Sequence, residues 1–127
     1  MDRGCQMSAL VVEDDSVVGS ALVSLLRRNG WRAEWVPTLG GARTMLEVYD
    51  PDLILLDLHL PDGDGRDLLR ENYDRGRSRR VVVLTALGDV EMREVADEFP
   101  QATVLQKPID PEELVEILGN GRKGKVD

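Results

Sequence analysis

The sequence predicts an α/β domain, a five-stranded parallel sheet with helices on both faces, and three observations predict it. Five short runs recur along the chain: Leu10-Val11-Val12, a weaker one from Arg32 to Val36, Leu53-Ile54-Leu55-Leu56, Val81-Val82-Val83-Leu84 and Val104-Leu105-Gln106. Most are continuously aliphatic, the mark of strands buried on both faces, as parallel strands are. Each is followed by a segment with helical spacing, and a strand–helix unit repeated five times demands a parallel sheet covered on both sides. Finally, four of the runs lead into reactive side chains: Glu13-Asp14-Asp15, Asp57, Thr85 and Lys107. Ligands of open α/β sheets bind outside the carboxyl ends of the strands. Residues far apart in sequence are therefore expected to converge on one rim.

The elements follow in order. After the first strand, Val17, Val18, Ala21, Leu22, Leu25 and Leu26 keep helical spacing until Gly30 stops the helix. In the second strand, charged residues alternate with Ala33 and Trp35. Thr38 can cap a helix bearing Ala42, Met45, Leu46 and Tyr49, which Asp50-Pro51 ends. Beyond the third strand, Leu60-Pro61-Asp62-Gly63-Asp64-Gly65 favours a turn, and Leu68, Leu69 and Tyr73 mark a third helix. A fourth helix is expected from about Asp89 to Glu98 with Val90, Val95 and Ala96 inward. Asp110, Pro111 and Glu113 have capping-box spacing for a last helix, with Leu114, Val115 and Leu118 as its buried face and Gly119 at its end.

The 127 residues are enough for one core and too few for two ordinary domains. A 42% hydrophobic but 4% aromatic composition predicts an aliphatic interior. The domain is expected over residues 8–118, with an N-terminal tail over 1–7 and a flexible tail or linker stub over 119–127. No apolar run approaches the ~20 residues of a membrane span, and no signal-peptide core of ~7–15 residues opens the chain. A cytoplasmic location is expected. Cys5 is the single cysteine, read as an idle thiol, so no internal disulfide forms. The net charge of −8 counts against direct nucleic-acid binding. The basic stretch from Arg75 to Arg80 reads as a solvated loop.

Crowding Glu13, Asp14 and Asp57 is costly, since two unit charges about 4 Å apart repel by roughly 4 kcal/mol at an effective dielectric near 20. A cation relieves this, and hard oxygen donors suit Mg²⁺. A metal-bound carboxylate can act as a nucleophile toward a phosphoryl group, giving an aspartyl phosphate. Mg²⁺, the Lys107 ammonium and the Thr85 hydroxyl can then each take one equatorial oxygen of the transferring group.

From about Ser8 to Leu118 the chain resembles the receiver domain of two-component response regulators. Val12-Glu13-Asp14, Asp57-Leu58-His59-Leu60-Pro61 through Gly65, Thr85-Ala86 and Lys107-Pro108 carry the resemblance, in family order and spacing. It implies a flavodoxin-like (βα)5 fold with strand order 2-1-3-4-5, which sets strands 1 and 3 side by side at the topological switch point. It further implies that Asp57 is the phospho-acceptor and Asp14 a direct Mg²⁺ ligand. Glu13 would hold a metal-bound water, and the backbone carbonyl of His59 would complete the coordination. Thr85 and Lys107 would assist the transfer. The partner implied is a sensor histidine kinase or a histidine phosphotransfer protein, and the domain is a switch rather than a turnover enzyme, though it assists its own phosphotransfer and slow dephosphorylation. An effector domain or a homodimer would use the face of the fourth helix, fifth strand and fifth helix. There Glu91, Glu94, Asp97, Glu98, Glu112, Glu113 and Glu116 are expected to form an acidic surface.

Other readings compete. A receiver-shaped binding module that works without phosphate is the main alternative. An aspartate-nucleophile Mg²⁺ phosphatase would carry a second acid where His59 stands, and the chain has no room for a cap domain. A calcium loop ending at Glu71 fails because its first ligand would be Leu60. Asp15 reads as a helix cap, and the His59 ring as incidental, although it or Leu87 can tune phosphate loss. Two departures from the family pattern bear on signalling. Val104 stands where an aromatic ring is usual, and its β-branched stem is short and stiff. Pro100-Gln101 replaces the usual Gly-Ala turn. The signal is therefore expected to leave by the backbone or by the fourth helix.

Overall fold

The computed structural model describes residues 6–76, 79–86, 88–119 and 121. Cys5, Leu87, the Arg77-Ser78 part of the basic stretch and residues 122–127 lie outside the described residues. In chain order the elements are β1 (Ser8–Val12), α1 (Ser16–Arg28), β2 (Arg32–Val36), α2 (Leu39–Val48), β3 (Leu53–Asp57), β4 (His59–Leu60), β5 (Gly63–Asp64), α3 (Gly65–Asp74), β6 (Arg80–Thr85), α4 (Asp89–Glu98), β7 (Thr103–Gln106) and α5 (Pro111–Leu118). Five strands form one parallel sheet in the order β2-β1-β3-β6-β7. This is the expected order once β4 and β5 are counted.

The continuous aliphatic runs are explained by two cores, one on each face of the sheet. Leu10, Val12, Ile54, Leu56, Val81 and Val83 pack with Leu39 and Ala42 of α2, Leu68 and Leu69 of α3, and Val95 and Phe99 of the α4 region. The alternate residues Ala9, Val11, Leu53, Leu55, Val82 and Leu84 pack with Leu22 and Leu26 of α1 and Leu114 and Leu118 of α5. Because side chains alternate across a strand, each run must be apolar throughout to serve both layers.

The caps form largely as read. The Asp15 carboxylate accepts from the amides of Val17 and Val18, Thr38 from Gly41, and Asp110 from Glu112. The returning bond from Glu113 that would complete a capping box is not made among the described residues. The turn expected after β3 closes further, into an antiparallel hairpin with His59 opposite Asp64 and Leu60 opposite Gly63. At its tip, the Asp62 carboxylate accepts from the amides of Leu39 and Gly40. The hairpin thus shares the capping of α2 with Thr38.

The structure differs from expectation on two helix faces and in one loop. Val90 is 73% exposed and Ala96 is exposed; only Val95 of the α4 residues is buried. Val90 lies five residues before Val95, about 140° round the helix, so the two cannot share a stripe. In α1, Val17 and Ala21 are exposed, while Leu22 and Leu26 enter the core. The basic stretch is also less free than a solvated loop: Arg79 donates to Asp50 at 2.7 Å, and Arg80 donates to the Ile117 carbonyl at 2.6 Å. Both arginines adjoin the start of β6, where the loop meets the base of the sheet.

Contacts reach past the span from Ser8 to Leu118. Arg32 N–H donates to the Met7 carbonyl, Gln6 to the Gly30 carbonyl, Gly121 N–H to the Asn29 carbonyl, and the Trp31 indole to the Gly119 carbonyl. Among the described residues no helix is long and apolar enough to cross a membrane.

Candidate functional site

Strand register places the reactive residues. The last β1–β3 pair is Val12 with Leu56, so Glu13 and Asp57 leave the sheet side by side. Asp57 pairs with Leu84, and Thr85 follows one residue later on β6. Thr85 in turn pairs with Gln106, the residue before Lys107. The Lys107 amide extends the ladder by donating to the Thr85 carbonyl at 2.7 Å. All four runs therefore end on one rim, as the sequence predicts.

One half of that rim is acidic. Carboxylate oxygens of Glu13, Asp14 and Asp57 lie within 4.8 Å of one another, with Glu13 and Asp57 buried and Asp14 exposed. Strands spaced ~4.8 Å apart leave β7 roughly 10 Å from β3, a gap that the four-carbon stem of a lysine can bridge. Lys107 Nζ donates to Glu13 Oε1 at 2.6 Å and to Asp57 Oδ2 at 3.2 Å. The other Asp57 oxygen accepts from the His59 amide at 3.1 Å. Glu13 Oε2 accepts from the Asp15 amide at 3.1 Å.

Burial pushes the Glu13 carboxyl above its usual range, outweighing the Lys107 hydrogen bond; the Asp57 charge pushes the same way. Burial also works against the Lys107 ammonium, but the Glu13 hydrogen bond and the charges of Asp57 and Glu13 hold it above an ordinary lysine. We take the Glu13–Lys107 pair as ionised, because the short 2.6 Å contact and the second carboxylate at 3.2 Å both favour the ammonium. Three carboxylates against one ammonium leave an excess of two negative charges. Such a set of hard oxygens fits a small divalent cation.

The other half of the rim is built around Glu91, from the first turn of α4. Its carboxylate accepts the Thr85 hydroxyl at 2.8 Å and the Arg66 guanidinium at 2.8 Å, and lies 3.3 Å from His59 Nε2. This corrects the expected acidic face: Glu91 turns inward to the rim, and Glu98 pairs with Arg70 of α3 at 2.9 Å. Glu94, Asp97, Glu112 and Glu113 remain exposed. The correction has a helical cause, since Glu91 and Glu98 are seven residues apart and share one side of α4.

Close backbone approaches hold the rim in place. The Trp35 indole donates to the Glu13 carbonyl at 2.6 Å, and a methyl group on Gly19 would fall 2.4 Å from that indole nitrogen. A methyl on Gly65 would fall 2.7 Å from the Asp57 carbonyl, so α3 can start against β3 only with glycine there. The Lys107–Pro108 peptide bond is cis.

The structure thus brings together Glu13, Asp14, Asp57 and Lys107, with Thr85 beside them and the His59 amide on Asp57. Sequence reasoning missed Glu91, Arg66 and Trp35, and it read the His59 ring as incidental when that ring lies against Glu91. The one available signal for Glu91 was an acid six residues past Thr85, in the first turn of the next helix.

The model of the response regulator receiver domain matches residues 9–119. The chain is 34% identical over 121 residues to the transcriptional regulatory protein CutR of Streptomyces coelicolor, covering 94% of this chain and 56% of that protein. It is likewise 34% identical over 108 residues to the response regulator PmrA of Pseudomonas aeruginosa, covering 85% of this chain and 49% of PmrA. The chain therefore spans about half the length of these curated relatives. Among solved structures, the BeF3-activated receiver domain of Klebsiella pneumoniae RstA superposes with a TM-score of 0.76 at 28% identity, covering 87% of this chain and 94% of that one. Motif, register and relatives agree: the chain belongs to the receiver domains of two-component response regulators.

Proposed function

We propose that Asp57 accepts a phosphoryl group from a sensor histidine kinase or histidine phosphotransfer protein, and that the resulting aspartyl phosphate switches the domain. The observation that carries this reading is the meeting of Lys107 with both Glu13 and Asp57 at the rim. In the transfer, an Asp57 carboxylate oxygen forms a bond to phosphorus as the donor's P–N bond breaks. The electron pair leaves with the donor imidazole, which takes up a proton. Lys107 lies where it can neutralise charge on the phosphoryl oxygens, and Thr85 offers a hydroxyl donor.

Asp14, Asp57 and the His59 carbonyl would hold Mg²⁺, with Glu13 contributing through water, and the bound ion would supply charge neutralisation at the phosphoryl group. Beside Lys107, an apolar groove lined by Val17, Val18, Leu25, Pro108, Ile109 and Pro111 gives a donor helix a surface to rest on. A cytoplasmic location and slow self-dephosphorylation belong to the same reading. Partner choice, and any effector domain or homodimer on the α4–β7–α5 face, follow from the family rather than from a contact in this chain.

Incubation with acetyl phosphate and Mg²⁺, followed by intact-mass measurement, tests the proposal. The expected result is one added phosphoryl group on the wild type and none on Asp57→Asn. An unlabelled wild type points to the phosphate-independent binding module, and steady release of phosphate from small phosphoesters points to a phosphatase.

A further inference from the structure

The cluster around Glu91 is not used by the transfer chemistry, yet it touches Thr85. The Glu91 side chain is 13% exposed and holds donors from three elements: the Thr85 hydroxyl on β6, Arg66 on α3 and the His59 ring on the hairpin. A hydroxyl has a single proton to donate. Thr85 cannot give it both to Glu91 Oε1 and to an oxygen of a phosphoryl group on Asp57. We infer that Glu91 is a positioning residue for Thr85, holding the hydroxyl on α4 until a phosphoryl group on Asp57 draws it away. The inference rests on the reading of Asp57 as phospho-acceptor and extends it to how the signal leaves the site.

Two features make α4 the element that responds. Its N-cap is Gly88 with no side-chain cap bond, unlike the Asp or Thr caps of the other four helices. Only Val95 among its residues is buried, so few apolar contacts resist movement of its first turn. Losing the Thr85 bond removes one of three ties that Glu91 makes to the rim. Val104 is half-buried and carries no ring to swing, whereas Glu91 links Thr85 to α4 directly.

The test compares wild type, Glu91→Ala, Thr85→Ala and the double variant. Two quantities are read: the rate of labelling by acetyl phosphate with Mg²⁺, and the amide shifts caused by BeF3⁻. Glu91→Ala should be labelled roughly 10-fold faster, the low end of what one released hydrogen bond to a charged group gives. That gain should vanish in the Thr85→Ala background, which a purely structural effect would not do. BeF3⁻ should move the amides of Asp89 to Met92 in the wild type. In Glu91→Ala those shifts should be lost while the shift at Thr85 persists. Should Glu91→Ala fail to fold, Glu91→Gln is read the same way with a smaller gain. Wild-type labelling rates and undiminished α4 shifts in the Glu91 variants overturn this inference alone. A wild type that gains no phosphoryl mass overturns it together with the reading of Asp57.

Discussion

The two halves of the rim are laid out by one strand register but are neutralised in opposite ways. On the β1–β3 side, Glu13 and Asp57 are delivered as neighbours by the ladder, and charge accumulates faster than Lys107 can cancel it. On the β6–α4 side, the Glu91 carboxylate meets a guanidinium, a hydroxyl and an imidazole, so its acceptor capacity is well used. The first half is left with excess negative charge by the register and suits a cation and a phosphoryl group. In the second half the Glu91 carboxylate has its guanidinium counter-charge and its hydroxyl donor before any ligand arrives. A ligand binds to the first half; it must take something away from the second.

The largest expected effect tests the first half. Lys107→Met leaves Glu13 and Asp57 without their shared counter-charge, and breaking such a partly buried pair should cost roughly 2–4 kcal/mol in urea unfolding. Mg²⁺ should restore part of that loss, because a cation supplies the missing charge. Asp57→Asn should show the contrary sign or no loss, since it removes one of the repelling acids. Equal destabilisation by both variants would contradict the charge excess described above.

A smaller effect probes the second half. Arg66→Ala removes the guanidinium partner of Glu91 and should cost about 1.5–3 kcal/mol, the scale of a hydrogen bond to a charged group. Faster amide exchange should be confined to α3 and the first turn of α4. Exchange that quickens equally in α1 and α5 would show that α4 is not separately anchored.

The smallest effect lies outside both halves, at the hairpin tip. The Gly40 and Leu39 amides hold the Asp62 carboxyl below its usual value of 3.8. A carboxyl held low when folded adds stability above its unfolded pKa and loses it as pH falls through the lower folded value. The wild type should therefore lose thermal stability more steeply than Asp62→Ala below about pH 4, while near neutral pH Asp62→Ala melts slightly lower. Identical acid limbs for the two proteins would refute the cap.

Much of this was legible in the residues. Leu53 to Leu56 and Val81 to Leu84 could only be doubly buried strands, and Asp15, Thr38 and Asp110 announced their helices by the short range of a cap bond. The acid–lysine cluster was legible too, because parallel strands of one sheet end on a common edge whatever their separation in sequence. Val90 and Glu91 were misplaced for the same reason as each other. A ten-residue helix with a single buried residue carries too weak a stripe to fix its rotation about its axis.

By itself, then, the sequence determined the sheet, the caps Asp15, Thr38 and Asp110 of three of the five helices, and the meeting of Glu13, Asp14, Asp57 and Lys107. Those depend on local periodicity and on strand order, which repeat along the chain. Only the tertiary structure decided that Glu91 turns toward Thr85, that Arg66 meets it, and that Trp35 pins the Glu13 carbonyl. Each of these joins side chains from elements whose relative rotation is set by packing, and packing is a property of the assembled core rather than of any one segment.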